Sequence, residues 1–192
     1  MRRVALLGAT GSIGTAAQDL ARAYPDRIRL VSLAARSNHE ALIRAAEEFR
    51  VPRIALVDPE AARRARSAWK GGEVLEGEEA LAALAAEDGV DVVVNAVVGG
   101  IGLKPTVAAL SAGKRVALAN KESVVLAGEL LLGIAKRSGG ASFPWIRSTA
   151  ASLSASQPGR SRTSAASRSR RPAGPSCAGP RRPSRTRLPR RF

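Results

Sequence analysis

Glycines stand at positions 8, 11 and 14 in the stretch Gly8-Ala9-Thr10-Gly11-Ser12-Ile13-Gly14. Glycine at that spacing suits the cradling of a phosphate. Gly8 lets the chain turn sharply. Gly11 removes a side chain where backbone must approach a pyrophosphate. Gly14 lets a following helix pack close to the preceding strand. Thr10 and Ser12 add hydroxyl donors. The competing reading is a glycine-rich turn with no ligand. A second cluster, Asn120-Lys121-Glu122, sets an amide, a cation and a carboxylate side by side. Lysine suits an anionic or carbonyl oxygen of a substrate, and glutamate suits a ribose hydroxyl. A polar helix cap by Asn120 or Ser123 competes with that reading. A third cluster is Arg36-Ser37-Asn38. No carboxylate occurs from 28 to 39. A basic residue with hydroxyls tolerates the 2′-phosphate of NADP, where a carboxylate would hold the 2′-hydroxyl of NAD. A solvated loop arginine is the alternative there.

These residues must be delivered by strands and helices in alternation. Val4–Leu7 is an apolar strand running into the first turn. Thr15–Tyr24 has helical spacing and is closed by Pro25. Ile28–Ala34 is a second strand. His39–Phe49 is a helix that Asn38 is placed to cap. The lone histidine, His39, reads as a surface residue at its start. Arg53–Val57, Val74-Leu75, Asp91–Val98 and Lys114–Ala119 read as further strands. The run 91–98 reads as buried on both faces. Pro59–Trp69, Glu78–Ala85, Leu103–Ser111 and Val124–Lys136 read as helices. The pattern predicts an α/β fold with a Rossmann-like, mostly parallel sheet and helices on both faces. Ligands of such sheets collect at the carboxyl ends of the strands.

The formal net charge is +15, but it is unevenly spread. Residues 138–192 hold 12 arginines and no lysine, aspartate or glutamate. Residues 1–137 hold 19 basic and 16 acidic residues, a net of +3. The expected division is a Rossmann-like domain over 1–137 and a disordered Arg/Pro/Ser-rich tail over 138–192. A basic tail binds polyanions through their phosphates, so a nucleic-acid-binding protein is one alternative function. Its sparse aromatics give little for base stacking. No run of about 18 apolar residues predicts a membrane span. Arg2-Arg3 is followed only by a short apolar run that ends in the glycine turn, so no signal peptide is expected. The single cysteine, Cys177, excludes an internal disulfide framework and fits a cytoplasmic protein.

Three stretches together resemble the 1-deoxy-D-xylulose 5-phosphate reductoisomerase family. They are residues 8–14, Asn95-Ala96-Val97-Val98-Gly99, and Gly113-Lys114-Arg115-Val116-Ala117-Leu118-Ala119-Asn120-Lys121-Glu122-Ser123. The resemblance covers about 1–137. It implies an NADPH-dependent oxidoreductase of isoprenoid biosynthesis that rearranges a sugar phosphate and reduces the resulting aldehyde. By that resemblance Thr10, Gly11, Ser12 and Ile13 hold the phosphates of NADPH, between the structural glycines Gly8 and Gly14. Arg36, Ser37 and Asn38 sit at its 2′-phosphate end. Asn120 and Glu122 also touch the cofactor, and Lys121 meets the sugar-phosphate substrate. Intact members need a divalent metal, Mg or Mn, and form homodimers. The alternative within enzymes is another NADP-dependent oxidoreductase. Within 1–137 only Lys121, Glu122 and Tyr24 are candidates for its chemistry.

The family's next strand carries Pro-Val-Asp-Ser-Glu-His, whose acids hold the metal. This chain reads Phe143-Pro144-Trp145-Ile146-Arg147-Ser148 instead, and no carboxylate side chain follows Glu129. No metal ligand and no catalytic residue is therefore assigned. One codon pair is informative. A Trp codon followed by an Ile codon, read two bases on, always contains GAT, an aspartate codon. Suitable codons for 143–153 spell the whole family motif in that frame. The expectation is that 138–192 is an out-of-frame translation, leaving a chain that binds NADPH without turnover.

Overall fold

The computed structural model describes residues 1–119, 121–139 and 141–144, with backbone alone for 121–124, 126 and 141–144. The apolar run after Arg2-Arg3 forms β1 (Arg2–Leu7), whose last four residues are buried. Seven parallel strands follow the alternation that the sequence predicts. They are β1, β2 (Ile28–Ala35), β3 (Arg53–Leu56), β4 (Glu73–Glu76), β5 (Val92–Asn95), β6 (Arg115–Leu118) and β7 (Ala141–Pro144). Between them run α1 (Ser12–Ala23), α2 (His39–Glu48), α3 (Pro59–Ala68), α4 (Glu78–Ala86), α5 (Leu103–Ser111) and α6 (Lys121–Ser138). The spatial order is β4-β3-β2-β1-β5-β6-β7. The chain therefore walks outward from β1 in one direction, then returns and walks outward in the other. The reversal lies between β1 and β5, and ligands bind at that place in open α/β sheets.

Right-handed crossovers fix which face each helix covers. Moving from β1 to β4 puts α1, α2 and α3 on one face. There Leu6, Leu33, Leu42, Ile54 and Ala62 share a core. Moving the other way puts α4, α5 and α6 on the opposite face, with Leu7, Leu81, Leu84, Leu110 and Val116. Register across the reversal is held at its amino end by Asp91. Its carboxylate accepts from the Arg3 backbone N–H at 2.8 Å and pairs with the Arg3 guanidinium at 3.1 Å.

The structure adds detail to two expectations. The run 91–98 is strand only over Val92–Asn95, and its burial alternates: Val93 and Asn95 are fully buried, Val92 and Val94 partly buried. Val93 lies in the core under α4 to α6, and Val92 and Val94 pack against the core under α1 to α3, so both faces are packed, one less completely. The change of composition after 137 does not coincide with the end of an element. Helix α6 runs through Ser138, and Ala141–Pro144 pairs with β6 as an edge strand. Ala-Ser-Phe-Pro has no apolar alternation to announce it. Parallel pairing is made by backbone, and proline is tolerated on an edge. Beyond 144, the expected disordered tail and Cys177 lie outside the described residues.

Candidate functional site

The loop after β1 is built by its neighbours. The N–H groups of Gly8 and Ala9 both donate to the Ala34 carbonyl, at 2.9 and 2.8 Å, which ties the loop to the carboxyl end of β2. Gly8 has φ +84, and a Cβ there would lie 2.6 Å from the Ala96 carbonyl oxygen. Gly14 is held more tightly still: a Cβ would lie 2.2 Å from the Gly8 oxygen and 2.5 Å from that of Ala9. Gln18, buried one turn further along α1, donates from Nε2 to the Ala9 carbonyl at 2.8 Å. Sequence reading missed this tether. Its only signal was an amide one helical turn from Gly14 on the inward face.

Gly11 behaves differently. A Cβ there would meet nothing closer than the Gly8 oxygen at 3.5 Å, an ordinary contact. The protein itself does not require glycine at 11, so the missing side chain leaves room beside the backbone. Gly11 is the N-cap of α1, and no side chain caps that helix. The first N–H groups of a helix have no partner within it and carry the positive end of its dipole. Helices α2 and α3 at the same sheet edge are closed by their own residues. Asn38 Oδ1 accepts from Ala41 N–H at 3.1 Å. Asp58 accepts from the N–H groups of Glu60 and Ala61 at 2.8 and 3.1 Å. The α1 terminus, exposed at Gly11, Ser12 and Ile13, is left facing outward.

Arg36, Ser37 and Asn38 follow β2 and are exposed. Pairing of Leu7 with Ala34 brings their strand end beside the glycine loop. Asn38 thus has the capping role that its sequence position suggested. The fold adds one group that residues 28–39 could not reveal. Asp58, at the end of β3, donates its N–H to the Arg36 carbonyl at 2.9 Å. Its carboxyl is held below the usual carboxylate range, first by the Ala61 and Glu60 amides and then by the charges of Arg64 and Arg36. That carboxylate is engaged at the N-terminus of α3.

The loop after β5 completes the edge. Asn95 is fully buried, and its Nδ2 donates to the Gly102 carbonyl at 2.7 Å and to Thr106 Oγ1 at 2.8 Å. Its Oδ1 accepts from Val97 N–H at 3.2 Å, and the Thr106 hydroxyl donates to Gly102 at 2.8 Å. Asn95 is therefore the internal clamp of this loop. The third sequence cluster is only partly placed. Lys121 and Glu122 open α6, beyond the carboxyl end of β6, with their backbone alone described. Asn120 lies outside the described residues. Among the described residues no group of three or more His, Cys, Asp or Glu side chains is placed to hold a metal ion.

Comparison with known proteins agrees on one family. Residues 4–128 match the model of 1-deoxy-D-xylulose 5-phosphate reductoisomerase. The protein of that name from Anaeromyxobacter dehalogenans is 48% identical over 146 residues, which are 75% of this chain and 37% of the relative. That from Geotalea uraniireducens is 40% identical over 146 residues, 75% and 38% of the two chains. A crystal structure of DOX-P reductoisomerase with NADPH, fosmidomycin and magnesium is 38% identical with a TM-score of 0.70, over 75% of this chain and 36% of that one. The Zymomonas mobilis enzyme in complex with NADPH has a TM-score of 0.71 at 38% identity, over 74% and 38%. The chain thus spans little more than a third of the length of these relatives.

Proposed function

The chain belongs to the 1-deoxy-D-xylulose 5-phosphate reductoisomerase family, and on that premise we propose that its described part is an NADPH-binding module. The observation that carries the proposal is the uncapped N-terminus of α1 beside Gly11, at the point where the sheet order reverses. An anionic pyrophosphate suits both the unpartnered N–H groups and the room left by Gly11. In this reading Thr10, Gly11, Ser12 and Ile13 hold the phosphates, with Gly8 and Gly14 shaping the loop. Arg36 and Ser37 face the 2′-phosphate, and Asn38 contributes beside its capping bond. Asn120 and Glu122 also touch NADPH, and Lys121 meets a sugar-phosphate substrate.

Bound NADPH would supply a hydride. The described residues do not fit the family's divalent metal, so no step through one is derived, and no substrate turnover is expected of this chain. The change of composition after 137 supports an out-of-frame origin for the segment beyond β7. The gene around codons 137–145, resequenced and translated in the alternative frame, tests that point. A reducing, cytoplasmic setting fits the lone cysteine, and no described helix is long and apolar enough to cross a membrane.

Calorimetric titration of the purified chain with NADPH and NADH is the direct test. NADPH is expected to bind at least tenfold more tightly, with Arg36→Ala removing most of that preference, in keeping with a charge-assisted contact of about 1.5–3 kcal/mol. A folded chain that binds neither, or binds both equally, overturns the proposal. Consumption of 1-deoxy-D-xylulose 5-phosphate with manganese and NADPH would overturn the expectation of no turnover.

A further inference from the structure

A small cleft of about 130 Å³ lies between the N-termini of α2 and α3. Its position follows from the sheet. Ala35 of β2 pairs with Leu56 of β3, so the two strands end level and deliver their loops side by side. The Val57 N–H donates to the Ala35 carbonyl at 3.2 Å, and the Asp58 N–H to that of Arg36 at 2.9 Å, which fixes the second loop against the first. Ser37 and His39 line the cleft from the β2 side, and Asp58, Glu60, Ala61 and Arg64 from the α3 side. Ala61 and Arg64 are three positions apart and share one face of α3. Ala61 is buried and Arg64 exposed, so that face passes from apolar to cationic within one turn.

The cleft holds two carboxylates, and both are engaged by its own wall. Asp58 Oδ1 accepts from the N–H groups of Glu60 and Ala61 at 2.8 and 3.1 Å. Glu60 pairs with Arg64 one turn on, and both side chains are 62% exposed. An exposed pair of that kind is weak, and its partners exchange readily. A phosphate monoester is a stronger partner for a guanidinium. It carries nearly two charges, and its oxygens match the planar fork. The charges of Arg64 and Arg36 are both felt at the Asp58 carboxylate, so a cation stands within electrostatic reach from each side of the cleft. We infer that Arg64 is a second cation for the 2′-phosphate of NADPH, approaching from α3 while Arg36 and Ser37 approach from β2, and that Glu60 holds Arg64 until the phosphate takes it. The inference rests on the NADPH-binding reading and adds to it a residue from a different element.

Calorimetry of the full chain tests this with four probes: NADPH, NADH, adenosine 2′,5′-bisphosphate and inorganic phosphate. Arg64→Gln should weaken NADPH and the bisphosphate by about threefold or more and leave NADH within about twofold. Arg64→Lys keeps the charge and should recover most of the loss. Glu60→Gln releases Arg64 and should tighten NADPH by about two- to threefold, a gain absent when Arg64→Gln is added to it. Arg63→Gln, exposed on α3 and outside the cleft lining, should change no affinity. Circular dichroism confirms that the variants fold. An NADPH affinity unmoved by Arg64→Gln overturns the inference. It leaves the binding reading intact and gives the 2′-phosphate to Arg36 alone. Equal weakening of NADPH and NADH also overturns it, since that marks a structural role for Arg64. So does inorganic phosphate binding as tightly as the bisphosphate, which assigns the cleft to free phosphate. If the unsubstituted chain binds no nucleotide, this inference falls together with the binding reading, and that titration shows it before any variant is made.

Discussion

Two glycine-rich turns lie side by side where the sheet order reverses, one after β1 and one after β5, and they use their polar groups in opposite ways. The turn after β5 is bound inward. Asn95 and Thr106 take up the Gly102 carbonyl and Val97 N–H, so the loop is fixed by side chains of its own half. The turn after β1 is fixed from behind, by Ala34, Gln18 and the close approach of Gly14, and its leading edge at Ser12 and Ile13 is exposed. Glycine content alone does not distinguish a structural turn from a ligand cradle. What separates them is that the second is tied through buried side chains of its own loop and helix, and the first only from behind.

The sharpest way to break the contrast is at Gly14. Gly14→Val places carbon inside the contact distance of two backbone carbonyls, and neither can retreat without moving β1 or α1. A loss of about 3 kcal/mol or more, or failure to fold, is expected from urea denaturation. Asn95→Ala comes next. It strips the buried clamp and should cost about 2–3 kcal/mol while leaving NADPH affinity within a few-fold. A large affinity loss with little change in stability would reverse the roles given to the two turns.

Gly11→Asp sharpens the same contrast from the other side. Aspartate is a good N-cap and its charge suits the helix dipole, so stability should rise by about 0.5 kcal/mol. NADPH binding should fall at least a hundredfold, because the same carboxylate occupies and repels the phosphate position. The smallest effect concerns pH. Hydrogen bonding to Arg3, chiefly from its side chain, lowers the Asp91 carboxyl from 3.8 to about 2. A depressed carboxyl stabilises the fold above its unfolded value and loses that contribution as pH falls through its folded one. The difference in urea midpoint between the natural chain and Asp91→Asn should therefore be constant above about pH 5 and close towards pH 2.

Much of this fold was legible because strands and helices alternate with strong turn signals. The glycine loop, the Asn38 cap and the proline-led start of α3 all stand where the residues point. Helix α1 begins at Ser12, three residues before the predicted start, because Gly11 takes extended dihedrals and ends the turn early. The Asn95 clamp was hidden: an amide in an apolar run gives no sign of which carbonyl it will meet seven residues on. Asp58 beside Arg36 was hidden for the same reason, since only the pairing of β2 with β3 brings the two together. The two packed faces of β5 were legible in its valine run, but not that one would pack less completely than the other.

The bond from Gln18 to Ala9 has a kinetic consequence. A loop anchored by the helix it feeds has no separate open and closed forms to exchange between. Encounter with a nucleotide should then be a single step, with the observed rate in stopped-flow rising in proportion to concentration and reaching no plateau. Gln18→Ala would loosen that anchor and bring in a slow, saturating phase.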